Sequence, residues 1–205
     1  MAGTSSRRIA DRERTVAIPE RLLSVATCLF AEKGFEGTSV QEIVTAAGVT
    51  KGAMYHYFAS KDELLFEIYH RLLAMQMKRL EQLAEGTGSV EERLRAAASD
   101  VIETSFLHLD ELIVFFRSMH MLPKEKQAMV RAERRRYHDR FLALVEEGQR
   151  EGILRSDIPA DIAVHYFLSA LNQIGNWYRP GGRLGADAVS KYYVDLLMDG
   201  VRAAD

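Results

Sequence analysis

The chain of 205 residues carries 27 Lys and Arg against 29 Asp and Glu, a formal net charge of −2, with 47% hydrophobic and 27% charged residues. That profile excludes a disordered chain, and the near-neutral total excludes a uniformly basic nucleic-acid binder while leaving room for a local basic region. The longest aliphatic and aromatic run, Leu112 to Phe116, is too short for a bilayer; the N-terminus is charged and Cys28 has no disulfide partner, so a cytoplasmic location is expected.

Residues 1–61 hold 8 Lys and Arg against 6 Asp and Glu, whereas residues 62–205 hold 19 against 23. Residues 1–18 read as a flexible arm bearing Arg7, Arg8, Arg12 and Arg14, either a solvated tail or a segment that touches DNA. From Pro19 onward, apolar residues recur at spacings of three and four and no strand pattern appears. The fold class is therefore all-α, with about nine helices.

The first helix starts near Pro19, gathers Leu22, Ala26, Leu29 and Phe30 on one face and ends at Gly34. Thr38 or Ser39 caps a short second helix, Glu42 completing a capping box with Ser39, and Gly48 breaks it after the stripe Val40, Ile43, Val44, Ala47. A third short helix runs from about Thr50 to Phe58. Ser60 and Glu63 form a second capping box that opens a long helix through about Leu83, followed by a linker from Glu85 to Ser89. Further helices are expected over Val90 to His108, Asp110 to Met121, Pro123 to Glu151, Asp157–Pro159 to Tyr178, and Asp187 to Ala203.

Two short helices joined by a turn containing glycine make a helix-turn-helix, whose second helix reads the major groove. Projected from Thr50, residues Lys51, Gly52, Tyr55 and His56 share one arc, while Met54 and Phe58 point to an adjoining side. Gly52 lets a backbone or base approach, Lys51 supplies a cation, and Tyr55 offers a ring for a thymine methyl and a hydroxyl for phosphate. Thr38, Ser39 and Lys61 lie at helix N-termini, where phosphate is favoured.

The run from Phe30 to Leu65, "FAEKGFEGTSVQEIVTAAGVTKGAMYHYFASKDELL", resembles the signature of the TetR family of transcriptional regulators nearly position by position. The resemblance implies a helix-turn-helix DNA-binding domain over 19–62 and a larger helical ligand-binding and dimerisation domain over 63–205. It implies base or groove contacts for Thr50, Lys51, Gly52 and Tyr55, phosphate contacts for Thr38, Tyr57 and Lys61, and either role for His56. It further implies a homodimer, formed through the last two helices, that binds double-stranded operator DNA and responds to a small-molecule effector. Those helices carry wide apolar stripes, from Ala163 to Tyr178 and from Val189 to Val201, which would otherwise close the monomer's own core. The motif "NWYRPGGRL" from Asn176 to Leu184 resembles members that answer to acyl-CoA thioesters, and it also reads as a plain turn.

An apolar effector needs a concave hydrophobic pocket, and the candidates for its lining are Phe115, Phe116, Met119, His120, Tyr137 and Trp177. No catalytic constellation assembles. Cys28 reads as a small buried hydrophobe, and His108, Asp110 and His120 do not have zinc-ligand spacing, so neither cofactor nor metal is expected. The run Arg131, Arg134, Arg135, Arg136, Arg140 reads as a solvated face. The alternative to a DNA-binding regulator is a helical ligand-binding or interaction module whose helix-turn-helix does not engage DNA.

Overall fold

The structure, a computed structural model, describes residues 17–203, so the arginine-bearing arm lies outside the described residues. The chain folds as helices α1 (Ile18–Lys33), α2 (Val40–Ala46), α3 (Lys51–Tyr57), α4 (Lys61–Ala84), α5 (Val90–Leu107), α6 (Leu109–Ser118), α7 (Lys124–Arg150), α8 (Ala160–Asn172), the single turn α9 (Ile174–Trp177) and α10 (Ala186–Val201). Among the described residues there is no strand, only one isolated antiparallel bridge between Leu154 and Arg202.

The N-terminal helices are bounded by local chemistry. Pro19 occupies the first turn of α1, and Gly34 leaves it with a φ of 81°. Ser39 caps α2 in a complete capping box with Glu42. At the other end of α2, Gly48 takes a φ of 63° and the Val49 N–H donates to the Val44 carbonyl at 2.9 Å, the glycine-dependent helix stop that turns the chain into α3. The box expected at Ser60 forms only by half: the Ser60 hydroxyl accepts from the Glu63 N–H at 3.1 Å, but the Glu63 carboxylate turns away to Lys126 on α7.

Two apolar clusters result. The upper one joins Leu22, Ala26 and Phe30 of α1, Ile43 and Val44 of α2 and Met54 of α3 to Leu64, Leu65, Ile68 and Tyr69 of α4, and it continues into Val114, Phe115, Leu122 and Val130. The helix-turn-helix core therefore does not stop at residue 62. The lower cluster packs α5, α7, α8 and α10 around Leu94, Ile102, Phe141, Leu144, Val164 and Met198. Helix α4 serves both, with Tyr69 near its start and Leu80 and Ala84 near its end. Its 24 residues make a rod of about 36 Å.

Two expected helices differ. The one drawn to Met121 ends at Ser118 and tightens into a 3-10 turn, Met119–Met121, because Pro123 holds Leu122 extended. The one drawn from Pro159 to Tyr178 breaks at Gln173, whose N–H bonds to Ala170 three residues back. The break brings Gly175 against α6, so close that a β-carbon there would lie 3.2 Å from Ile113.

Candidate nucleic-acid interface and internal cavity

Helix α3 presents its chemistry outward. Met54 and Phe58 are buried, which turns Lys51, Gly52, Tyr55, His56 and Tyr57 to solvent. Thr50 is exposed and caps the helix, its hydroxyl accepting from the Ala53 N–H at 3.1 Å. A β-carbon at Gly52 would meet only the Thr50 hydroxyl, at 3.8 Å, so no protein packing demands glycine there. The His56 ring rests edge-on against Tyr57, centroids 4.9 Å apart.

Three expected phosphate contacts are placed differently. Thr38 is buried, and its hydroxyl donates to the Gly34 carbonyl at 2.9 Å, so its side chain locks α1 to α2 and cannot face a phosphate. The Ser39 hydroxyl and backbone N–H both engage Glu42, whose carboxyl is pulled down to about 2 by that N–H first and by Lys33. Lys61 donates to the carbonyls of Phe35 at 2.7 Å and Thr38 at 2.8 Å, its ammonium 4.2 Å from the Phe35 ring centroid. It is an internal strut that fixes the α1–α2 turn on the start of α4.

A cavity of about 560 Å³ opens among α4, α5, α6, α7 and α8. Its inner wall combines the apolar Leu72, Val101, Leu112, Phe115 and Leu171 with the buried polar residues Gln76 and Ser105, whereas Arg131, Arg135, Asp139, Asp161 and His165 on its lining are exposed and so form the mouth. Of the residues expected from sequence, Phe115, Phe116 and Tyr137 line it. Met119, His120 and Trp177 do not. Met119 packs into the upper cluster, His120 sits exposed in the 3-10 turn with its carbonyl accepting from Gln127, and Trp177 is exposed, stacked against Tyr193.

The arginine run is likewise not simply a solvated face. Arg131, Arg134 and Arg135 line the cavity. The Arg134 guanidinium is half-buried over the rings of Phe115 and Phe116, at 5.2 and 5.7 Å, and burial pushes its pKa down. Among the described residues no carboxylate pairs with it. Cys28, expected to be buried, is exposed on α1; partial burial first, then Asp110 and Glu111, raise its thiol, which disfavours the reactive thiolate.

Residues 22–68 match the family described as bacterial regulatory proteins of the tetR family, and residues 87–201 match the tetracyclin repressor-like C-terminal domain. This chain belongs to the TetR family. Among similar TetR regulators is the HTH-type transcriptional repressor KstR2 of Rhodococcus jostii, 30% identical over 88% of this chain and 89% of that one. The ketosteroid transcriptional regulator KstR2 of Mycobacterium tuberculosis superposes with a TM-score of 0.82 at 25% identity, covering 92% of this chain and 96% of that one. AibR, solved with isovaleryl coenzyme A and operator DNA, gives 0.79 at 26% identity over 89% and 98%.

As a TetR member the chain is a ligand-responsive transcriptional repressor. Apart from Tyr137, sequence reading missed the α7 and α8 side chains of the cavity, among them Arg134, His138, Asp161 and His165. A signal for α7 was present: Arg131, Arg134, Tyr137 and His138 recur at three and four, the spacing of one helix face.

Proposed function

We propose that two copies of this chain form a homodimer that holds its two α3 helices in successive major grooves of a palindromic operator. An acyl-CoA thioester, apolar at one end and anionic at the other, then releases it. The observation that carries the effector class is Arg134: a half-buried cation without a carboxylate partner among the described residues, on the wall of a cavity that joins apolar and polar surface and next to Arg131 and Arg135. A cation in that state favours an anionic ligand, and the inner wall favours an alkyl or ring system. The isovaleryl coenzyme A bound by AibR belongs to the same class.

On DNA, Lys51, Gly52 and Tyr55 read the groove with Thr50, while Tyr57 and His56 flank them and Lys61 holds the turn from within. The exposed apolar residues Ile162 and Tyr166 on α8 and Tyr192 and Leu196 on α10 supply the dimer face, since large apolar groups clustered on two packed helices call for a partner. The half-sites then lie about 34 to 36 Å apart, or somewhat wider.

The test is fluorescence anisotropy of DNA from the chain's own upstream region. Saturable, salt-sensitive binding that is reversed by acyl-CoA, and not by free coenzyme A alone, is expected. Absence of any salt-sensitive binding would remove the DNA reading. Release by uncharged apolar compounds at least as good as by acyl-CoA would remove the effector class.

A further inference from the structure

One edge of the cavity carries nitrogen and oxygen donors that neither an acyl chain nor its phosphates need. His138 projects from α7, and Asp161 and His165 project from successive turns of α8. One ligand atom from each lies within 4.8 Å of the others. Asp161 divides its carboxylate between the two imidazoles, Oδ1 at 3.5 Å from His138 Nε2 and Oδ2 at 3.6 Å from His165 Nε2. His138 Nε2 is shut off from solvent and makes no hydrogen bond among the described residues. On the opposite side of the same ring, Asp139 Oδ1 lies 3.6 Å from Nδ1.

We propose that His138, Asp161 and His165 bind one divalent transition-metal ion of the zinc class. Zinc held at about 2.0 to 2.1 Å in a tetrahedron sets neighbouring ligand atoms about 3.3 to 3.4 Å apart; each imidazole nitrogen stands 3.5 or 3.6 Å from a different Asp161 oxygen, so the carboxylate would turn to present one oxygen to the ion or bind it through both. His165 is exposed, with its ring centroid 4.4 Å from that of His138, and a rotation of its side chain would close the histidine-to-histidine edge. A metal also answers the two features that ion pairing leaves open. Both nitrogen–oxygen distances are too long for hydrogen bonds, and the buried Nε2 of His138 lacks a partner that a metal ion would be. Asp139, 3.6 Å from the ring's other nitrogen, is beyond hydrogen-bond distance and would have to turn inward to orient a metal-bound histidine. Two imidazoles and one carboxylate select zinc, nickel or cobalt over magnesium and calcium, which take oxygen ligands. Three protein ligands leave a fourth position open to the cavity, and the ion would tie α7 to α8 beside the residues Ile162 and Tyr166. None of this depends on which effector enters the pocket.

The experiment uses the full chain without an affinity tag, stripped with EDTA and desalted, titrated with CoCl2 and then ZnCl2. Visible absorption that saturates at one equivalent of cobalt per chain, is lost on adding zinc and is indifferent to excess magnesium is expected. His138→Gln and His165→Gln each weaken binding at least tenfold, and Cys28→Ser leaves it unchanged. Should the His138 variant fail to fold, Asp161→Asn, which alters an exposed carboxylate, carries the same expectation, with circular dichroism of the metal-free variant as control. Absence of a one-equivalent cobalt signal, or unchanged affinity in the folded His165→Gln and Asp161→Asn variants, overturns the proposal.

Discussion

Replacing Arg134 by methionine separates what its charge does for stability from what it does for ligand binding. Methionine keeps an unbranched apolar stem against Phe115 and Phe116 and removes only the guanidinium. In the free protein two effects oppose each other. The substitution abolishes cation–π attraction to two rings, about 0.5 to 1 kcal/mol each at partly exposed sites. It also relieves the desolvation that pushes the Arg134 pKa down. Stability in urea should therefore change by no more than about 1 kcal/mol in either direction. Binding of an anionic effector is not balanced in this way: a charge-assisted hydrogen bond to a phosphate or thioester oxygen is worth about 1.5 to 3 kcal/mol. Titration calorimetry with an acyl-CoA should show roughly 10- to 150-fold weaker binding, whereas an uncharged ester of the same chain length should bind within about threefold of the wild type. Acyl-CoA affinity unchanged in a folded Arg134→Met protein would refute the argument that this cation recognises the head group.

Lys51 and Lys61, ten residues apart, should behave differently when each is replaced by alanine. Lys51→Ala should cost about 1 to 3 kcal/mol in operator affinity by anisotropy and leave the urea midpoint unchanged, because Lys51 is exposed. Lys61→Ala should lower unfolding free energy by about 2 kcal/mol along with DNA affinity, since it leaves the Phe35 and Thr38 carbonyls without their charged donor. Tyr166→Glu or Leu196→Glu should yield a monomer in sedimentation that keeps the helical circular dichroism of the parent, and a persisting dimer would place the interface elsewhere. The Glu42 carboxyl sits at about 2 in the folded chain against an ordinary 4.5, so its contribution is present above about pH 4.5 and lost as pH falls toward 2. Glu42→Gln should therefore flatten the melting temperature across that window.

The helix-turn-helix was legible because its information is local. Ser39 with Glu42, Gly48, and the alternation of buried Met54 and Phe58 with exposed Lys51 and Tyr55 all lie within a few residues of one another. Thr38 and Lys61 were misplaced for the opposite reason. Both sit at helix starts, where sequence suggests anion binding, but the Thr38 hydroxyl is taken up by the nearby Gly34 and Leu29 carbonyls as the chain turns out of α1, and the Lys61 partners Phe35 and Thr38 come into reach only when α4 packs on that turn. The cavity shows the same limit more strongly. An aromatic stripe marks α6 as apolar on one side without revealing that Phe115 and Phe116 face a void while Met119 and His120, a turn farther on, do not. The arginines of α7 looked solvated because Glu133 and Asp139 interleave with them. In the fold Glu133 is instead taken by His70 of α4 at 2.6 Å, and Arg134 is left on the cavity wall.

We propose that the route from effector to DNA runs through Phe115. It lines the cavity, lies under the Arg134 guanidinium, and meets the Tyr69 ring edge-on at a centroid distance of 4.9 Å. The Tyr69 hydroxyl donates to the Val114 carbonyl at 2.9 Å, so α6 and α4 are joined by packing and by a buried hydrogen bond. Phe115 also belongs to the apolar cluster that contains Ile43 and Met54, the residues that seat α2 and α3. An effector that draws Arg134 toward its anionic head uncovers one face of Phe115, and a close-packed cluster cannot absorb that change at one residue alone. Helix α4 is the stiff element on which the change acts, bearing Tyr69, Leu72 and Leu73 at the cavity end and Lys61, Leu64 and Leu65 at the reading head. Such coupling works only if the effector binds the displaced arrangement more tightly than the DNA-bound one. A methyl-sized change at Phe115 should therefore alter effector-driven release more than it alters either operator affinity or effector affinity measured alone.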